Sequence, residues 1–226
     1  VEADAPAPEQ SSAELPAAVP AAVPAAQVAQ PAKKAIAILP YNNLNYFKQV
    51  FDSVLSQTID GKPYSDIYDL YVFQDGLQNR HQNTLPDYEA IKDLVLAHLP
   101  ESQFQRQPQN IGTALQFAYV EQQMFFRAKE ADADVNEDTD GQGKGYDFCI
   151  LLEHDFVLAP GYLQTMESLY QRFAKDERIA AISVHSSSYK LPQEVQEEHK
   201  HTYKVMTHDL GAGVFQRTWQ KRRYVC

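Results

Sequence analysis

Glu153, His154 and Asp155 sit in the most chemically suggestive stretch of the chain, Tyr146 to Pro160. There an unbroken apolar run delivers two acids one residue apart and then resumes as apolar sequence. Phe148 to Leu152 are apolar at every position, the pattern of a parallel strand covered on both faces, and five residues are too few for a helix. Strand side chains alternate, so the pattern predicts Glu153 and Asp155 on one side and His154 on the other. Two acids together at the carboxyl end of a central strand are hard oxygen ligands suited to Mg²⁺ or Mn²⁺ carrying a substrate phosphate. Taken alone, acid-x-acid more often marks a charged turn. The elements that surround it decide between the two meanings.

Those elements alternate between strand and helix. Ala35 to Leu39 is a short apolar strand, broken by Pro40-Tyr41-Asn42-Asn43. From Leu44 the apolar residues Phe47, Val50, Phe51, Val54 and Leu55 follow the stripe of an amphipathic helix. Asp69 to Phe73 predicts a second strand ending at Gln74-Asp75-Gly76, and Pro86 to Leu99 a second helix with Tyr88, Ile91, Leu94 and Val95 on its face and Pro86 in its first turn. An extended piece near Phe104 leads to Asn110-Ile111-Gly112, which introduces a third helix to about Arg127. After an acidic insert, Glu130 to Gly145, comes the strand that ends at Glu153. Gly161 to Phe173 then reads as helix, with Leu163, Met166, Leu169 and Tyr170 on one side, and Ile179 to Val184 as strand. Ser186 to His201 is expected to be a mobile loop, Tyr203 to Thr207 a short strand, and Asp209 to Phe215 the entry to a final helix carrying Trp219. Strands separated by helices mean an α/β fold with a largely parallel sheet.

In open α/β sheets, ligands bind outside the carboxyl ends of the strands, near the point where strand order reverses. Asn42-Asn43, Asp75 and Glu153-x-Asp155 all fall at such ends. Neither a G-x-G-x-x-G after the first strand nor a G-x-x-x-x-G-K-[ST] occurs, so dinucleotide-binding and P-loop readings are poor. The formal net charge of -10 argues against nucleic acid as a partner, and the basic cluster Lys221-Arg222-Arg223 is too short to change that. No apolar run approaches a membrane span. Cys149 and Cys226 form neither a disulfide framework nor a metal knuckle. The missing Asn-x-Ser/Thr sequon favours a cytoplasmic setting, with a Golgi lumen and a removed anchor as the alternative.

Residues 1–33 are Ala/Pro-rich, with a VPAA repeat, and hold too little apolar surface to offset the entropy of ordering. They read as a flexible linker to another domain, and a chain that starts at Val1 reads as a piece of a longer protein. Residues 34–226 form the foldable domain, long enough for a substantial core.

With these residues placed, the order of motifs resembles that of a GT-A glycosyltransferase with a Rossmann-like, mostly parallel sheet. It is most similar to the inverting N-acetylglucosaminyltransferase I-like family, with a broader likeness to the large bacterial family of inverting sugar transferases. The matching pieces are ILPYNNLNYFKQVFDSVLSQ, DLYVFQDG, NIGTALQFAYV, FCILLEHDFVLAPGYL, AAISV and DLGAGVFQRTW, in family order from Ile38 to Trp219. The resemblance implies transfer of a sugar, GlcNAc first, from a UDP-sugar to an acceptor hydroxyl with inversion, in the presence of Mn²⁺ or Mg²⁺.

By the same resemblance Pro40, Tyr41, Asn42, Asn43 and Asn110 belong to the nucleotide pocket, and Asp75 accepts a hydrogen bond from the uracil ring. Asp155 coordinates the cation that bridges the phosphates, while Glu153 acts near the ribose or on metal-bound water, beside His154. Gly211 and Gly213 fall on the acceptor side, as does Trp219, although a tryptophan in such a place is more often part of the core. Two features depart from the family: His154 stands where an acid is usual, and Gly211-Ala212-Gly213 replaces a Gly-Leu-Gly-aromatic segment. The general base of an inverting transferase follows the glycine loop in the family, beyond Cys226 here, which implies a domain truncated at its C terminus. Asp209 is the in-chain substitute, with a helix cap or loop hydrogen bond as its other meaning.

Other residues have plainer meanings. His208 and His185 could complete a metal shell, but a lone histidine at a strand end is more often a structural residue. Asn136-x-Asp138-x-Asp140-Gly141 only partly mimics a calcium loop. Tyr119, Phe125, Phe126, Tyr162, Tyr170 and Phe173 have mostly helical spacing and read as core. Two other functions stay open: a non-catalytic or incomplete domain acting as a binding or assembly module of a larger protein, and a nucleotidyltransferase, although PYNNLNYF has no glycine-rich basic loop.

Overall fold

The computed structural model describes residues 32–126, 145–184, 197 and 211–222. Among the described residues eight strands are present: β1 (Lys34–Leu39), β2 (Thr58–Ile59), β3 (Lys62–Pro63), β4 (Asp69–Gln74), β5 (Phe104–Arg106), β6 (Phe148–Glu153), β7 (Ala181–Ile182) and β8 (Gly213–Phe215). The α-helices are α1 (Leu44–Leu55), α2 (Leu85–Leu96), α3 (Thr113–Phe125), α4 (Tyr162–Phe173) and α5 (Gln216–Arg222). Six strands form one sheet in the order β5-β4-β1-β6-β8-β7. The first four are parallel, and β8 runs antiparallel to both β6 and β7. The expected α/β class, a mostly parallel sheet flanked by helices, is the one observed.

Alternation along the strands sorts the core into two layers. Ile36, Ile38, Leu70, Val72, Phe148, Ile150 and Leu152 face the layer containing α1, α2 and α4. Their neighbours Ala35, Ala37, Leu39, Tyr71, Phe73, Cys149 and Leu151 face the layer of α3, with Trp219 packed against it. Strands buried on both faces are the reason these segments read as continuous apolar runs. The α1 stripe is buried at Phe47, Val50, Phe51 and Val54, and Asn43 caps the helix by accepting a hydrogen bond from the Tyr46 amide.

Two elements escaped the sequence reading. Asp209 to Phe215 was expected to lead into a helix, but Gly213–Phe215 is strand β8, paired with β6. A Cβ at Gly213 would run into the Phe148 ring, so glycine lets the β8 backbone lie over that side chain. The β2–β3 hairpin turns through Asp60 (φ 50°) and Gly61 (φ 76°). Both central residues have the positive φ of a type I′ turn, for which Asp-Gly is a preferred pair. The Ile179–Val184 strand is shorter than expected, at Ala181–Ile182. Apart from Glu197, the expected 186–201 loop lies outside the described residues, as do the Tyr203–Thr207 strand, the Ala/Pro-rich linker up to Pro31 and most of the acidic insert.

A charged pair stitches the start of β1 to α4. Lys34 Nζ donates to both Glu167 oxygens at 2.6 and 2.7 Å, with side-chain exposures of 11% and 6%. The Tyr68 hydroxyl donates to Glu167 Oε2 at 2.8 Å, and Gln171 Nε2 to Oε1 at 3.2 Å. The rings of Tyr68 and Tyr170 lie beneath the ammonium. Burial, and then the Glu167 charge, push the Tyr68 phenol far above its usual range and keep it a donor.

Removing one partner of such a pair strands a buried charge. Glu167→Ala is expected to cost about 3–5 kcal/mol in urea unfolding, and the apolar double substitution Lys34→Met with Glu167→Leu to recover most of that loss.

Candidate functional site

The parallel strands run outward from β1 in one direction to β4 and β5 and in the other to β6, so strand order reverses between β1 and β6. A cavity of about 230 Å³ opens at that junction. Its walls come from the carboxyl end of β1 (Leu39, Pro40, Tyr41), from Asp75 after β4, and from Gln78, Arg80 and His81 in the following loop. Asn110, Gly112, Thr113, Gln116 and Phe117 enter from the start of α3, and Glu153 and His154 from the end of β6. Alternation explains the grouping, because Leu39, Asp75 and Glu153 have the parity of the residues that face α3.

Asp75 is 7% exposed and takes four hydrogen bonds from its own chain. Oδ1 accepts from the amides of Gly76 at 2.8 Å and Ile111 at 3.0 Å. Oδ2 accepts from Asn110 Nδ2 at 2.8 Å and the Gly112 amide at 3.1 Å. A carboxylate offers about four lone-pair positions, so these donors fill it. The expected contact from Asp75 to a base therefore meets an acceptor already in use, and the carboxylate instead ties the lead-in of α3 to the end of β4. Gly76 completes this join, since a Cβ there would overlap the Gln109–Asn110 backbone. Asn110 is also spent within the fold: its amide donates a second bond to the Gly76 carbonyl at 2.9 Å and its Oδ1 accepts from Gln78 Nε2 at 2.7 Å.

Pro40 and Tyr41 line the cavity as expected, whereas Asn42 and Asn43 do not. Asn42 Nδ2 donates to Thr84 Oγ1 at 2.8 Å, and Asn43 is the α1 cap. Short polar residues after a strand were drawn to backbone and loop partners first. Tyr41 meets His81 at 2.8 Å from hydroxyl to Nδ1, and its hydroxyl accepts from the Gln78 amide at 3.0 Å.

The acid-x-acid segment departs from the alternation expected of it. β6 ends at Glu153, and the Phe156 amide donates back to the Glu153 carbonyl at 3.1 Å, closing a turn through His154 and Asp155. Strand parity lapses at a turn, so Glu153 and His154, not Glu153 and Asp155, share the cavity, and Asp155 is exposed beside it. Burial holds the His154 imidazole below the usual histidine range, partly opposed by the Asp155 charge. Its ring lies 6.4 Å from that of Tyr46. Among the described residues no three His, Cys, Asp or Glu side chains gather as a metal site. His208, His185 and Asp209 lie outside the described residues.

The residues expected on the acceptor side are elsewhere in the fold. Gly213 belongs to β8 against Phe148, and Trp219 packs edge-on to Phe126 at 4.2 Å between ring centres. Gly211 adopts φ 57°, and its carbonyl accepts from the Tyr162 hydroxyl. None of the three lines the cavity. Conversely, Gln78, Arg80, His81 and Gln116 form part of the cavity and escaped the sequence reading. The signal for the first three was the polar run QNRHQNT, which follows Asp75-Gly76-Leu77 at a strand's carboxyl end. Gln116 carries no such signal, because a polar residue in the first turn of a helix is ordinary.

No family model matches the sequence, and no curated protein matches it in sequence. Several solved structures are similar in fold at low identity. S. aureus TarS 1-349 is 12% identical over 84% of this chain and 49% of its own, with a TM-score of 0.49. S. aureus TarS is 13% identical over 62% of this chain and 20% of its own, with a TM-score of 0.40. The mannosyltransferase PcManGT from Pyrobaculum calidifontis, in complex with GDP-Man and Mn²⁺, is 13% identical over 69% of this chain and 36% of its own, with a TM-score of 0.40. This chain thus spans about half, or less, of the length of the structures it matches. Likenesses at these scores carry no functional information.

The Asp75 clamp sets an expectation for stability. Asp75→Ala leaves four donors without their acceptor, two of them amides of the α3 lead-in, and is expected to cost at least about 2 kcal/mol in urea unfolding. Limited proteolysis should then cut the wild-type-resistant segment 107–112 first.

Proposed function

We propose that this domain is the donor-binding part of a metal-dependent glycosyltransferase, taking a nucleoside diphosphate sugar where β1 and β6 part. The observation that carries this reading is the convergence of Leu39, Asp75 and Glu153, at the ends of three adjacent parallel strands, on one cavity at the reversal of strand order. That is the ligand position of open α/β sheets. Gly112 and Thr113 line the cavity and open α3, whose N-terminus has no side-chain cap and no acid in its first turn. Asp75 already takes the Ile111 and Gly112 amides at this helix start, so a phosphate would meet the amides of the first turn that follow, with the Arg80 side chain at the same rim adding positive charge.

The donor chemistry of two residues suits the expected cation, although the two do not share the cavity. Glu153 and Asp155 are hard oxygen ligands on one turn, and a small divalent cation normally keeps the rest of its shell for phosphate and water. When bound there, it supplies countercharge to a departing nucleoside diphosphate. The protein's own part is to hold the nucleotide between Pro40, Tyr41 and α3, and to keep His154 neutral beside the carboxylates. UDP-GlcNAc is the first candidate donor and Mn²⁺ or Mg²⁺ the cation, with transfer to an acceptor hydroxyl by inversion. Inversion needs a carboxylate to take the acceptor proton from the face opposite the leaving phosphate.

Calorimetric titration of UDP, UDP-GlcNAc, UDP-glucose and GDP, each with Mn²⁺ and with EDTA, tests the reading. Metal-dependent binding of uridine nucleotides is expected, weakened about tenfold or more by Asp155→Ala. Wild-type affinity of that variant in Mn²⁺ would overturn the cation assignment, and failure of every nucleotide to bind would overturn the donor site itself.

A further inference from the structure

Among the described residues Arg80 is the one lysine or arginine that lines the cavity, and it is exposed. An exposed arginine is ordinary, but this one stands on a fixed footing. Arg80 Nε donates to Gln78 Oε1 at 2.6 Å, Gln78 Nε2 to Asn110 Oδ1 at 2.7 Å, and Asn110 Nδ2 to the buried Asp75 carboxylate at 2.8 Å. A guanidinium only donates and a carboxylate only accepts, so the two ends of this chain fix the orientation of both amides between them. The backbone is held as well. The Tyr41 hydroxyl accepts from the Gln78 amide at 3.0 Å and meets His81 Nδ1 at 2.8 Å, so the residues on either side of Arg80 are tied to one phenol. Nε is spent on position, and both terminal amino groups are left without a partner among the described residues.

Resting on the donor-site reading above, we infer that Arg80 pairs with the outer phosphate of the donor and makes the site prefer a nucleoside diphosphate to a monophosphate, with Gln78 as the positioning residue that aims it. The cavity, at about 230 Å³, falls below the roughly 300–1,000 Å³ of pockets that enclose a ligand. A nucleotide seated there leaves part of itself outside. Leu39, Pro40 and Phe117 offer apolar surface to a flat ring, so the charged end is the part that stays at the rim, where the exposed Arg80 stands. Asp75 does not draw the guanidinium back, because its oxygens are filled by four other donors. Two free amino groups on one planar guanidinium match two oxygens of one phosphate, a pairing that the point charge of a lysine does not reproduce.

The test uses the whole chain and calorimetry in Mn²⁺ with UDP and UMP, the weaker ligand being measured by competition against the tighter. Where GDP binds more tightly than UDP, GDP and GMP take their place. Arg80→Gln is expected to weaken UDP about tenfold or more and to leave UMP within about twofold, so that the preference for the diphosphate shrinks. Its loss for UDP is expected to narrow in about 0.5 M salt, which a merely structural defect would not do. Arg80→Lys, which keeps the charge and loses the fork, is expected to fall between wild type and Arg80→Gln. Gln78→Leu, checked for folding by circular dichroism and melting temperature, is expected to shrink the same preference by a smaller factor, whereas a general loosening of the site would weaken UDP and UMP alike. A wild-type ratio of UDP to UMP affinity in Arg80→Gln overturns the Arg80 assignment and leaves the donor site standing. Failure of both UDP and GDP to bind wild type overturns the donor site and this inference with it.

Discussion

A buried carboxylate must find partners or lose its charge, and Asp75 finds three of its four in the segment that leads into α3. Through its two oxygens the end of β4 is held to Asn110, Ile111 and Gly112, and so to the first turn of α3. The position of that helix decides the shape of the cavity, since Gly112, Thr113, Gln116 and Phe117 are its wall. The close backbone approach at Gly76 serves the same join from the other side. A conspicuous acid at a strand end is thus spent on geometry, and the cavity wall is formed by the neighbours that it positions.

Central strands and amphipathic helices were legible because burial on both faces writes itself as apolar runs, as in Phe148–Leu152, and burial on one face as a stripe, as in α1. The Asp-Gly pair at 60–61 carried a legible hairpin signal that the helix and strand patterns around it overshadowed. β8 was not legible, because three residues beginning with glycine show no period, and its pairing with β6 depends on a contact with Phe148 far away in sequence. At the site, the strand ends were readable and the side-chain roles were not. Asn42, Asn43 and Asp75 have the chemistry of ligands, yet each is taken by a nearer partner within the protein. Glu153-His154-Asp155 was read as continuing strand, but the chain turns after Glu153, and the alternation that would pair the two acids stops with it.

The two faces of the sheet divide the work. The side of α1, α2 and α4 carries the larger apolar layer and, at the amino end of β1, the Lys34–Glu167 pair. The opposite side carries α3 and, at the carboxyl ends of the strands, the cavity. The buried ion pair and the polar cavity sit at opposite ends of the same strands, so changes at one are expected to leave the other nearly untouched.

The pairing of β1 with β6 has a consequence for the order in which the molecule assembles. Lys33 and Asp147, which exchange hydrogen bonds where these strands begin, are 114 positions apart in the chain. β1 can pair with β4 after a much shorter loop has closed, and contacts at long separation are slow to form because the chain entropy of closure precedes their reward. The cavity lies at the later junction. A nascent or partly folded chain can therefore hold β1, β4 and their helices in place and still lack the cavity, whose formation reports on complete folding of the sheet.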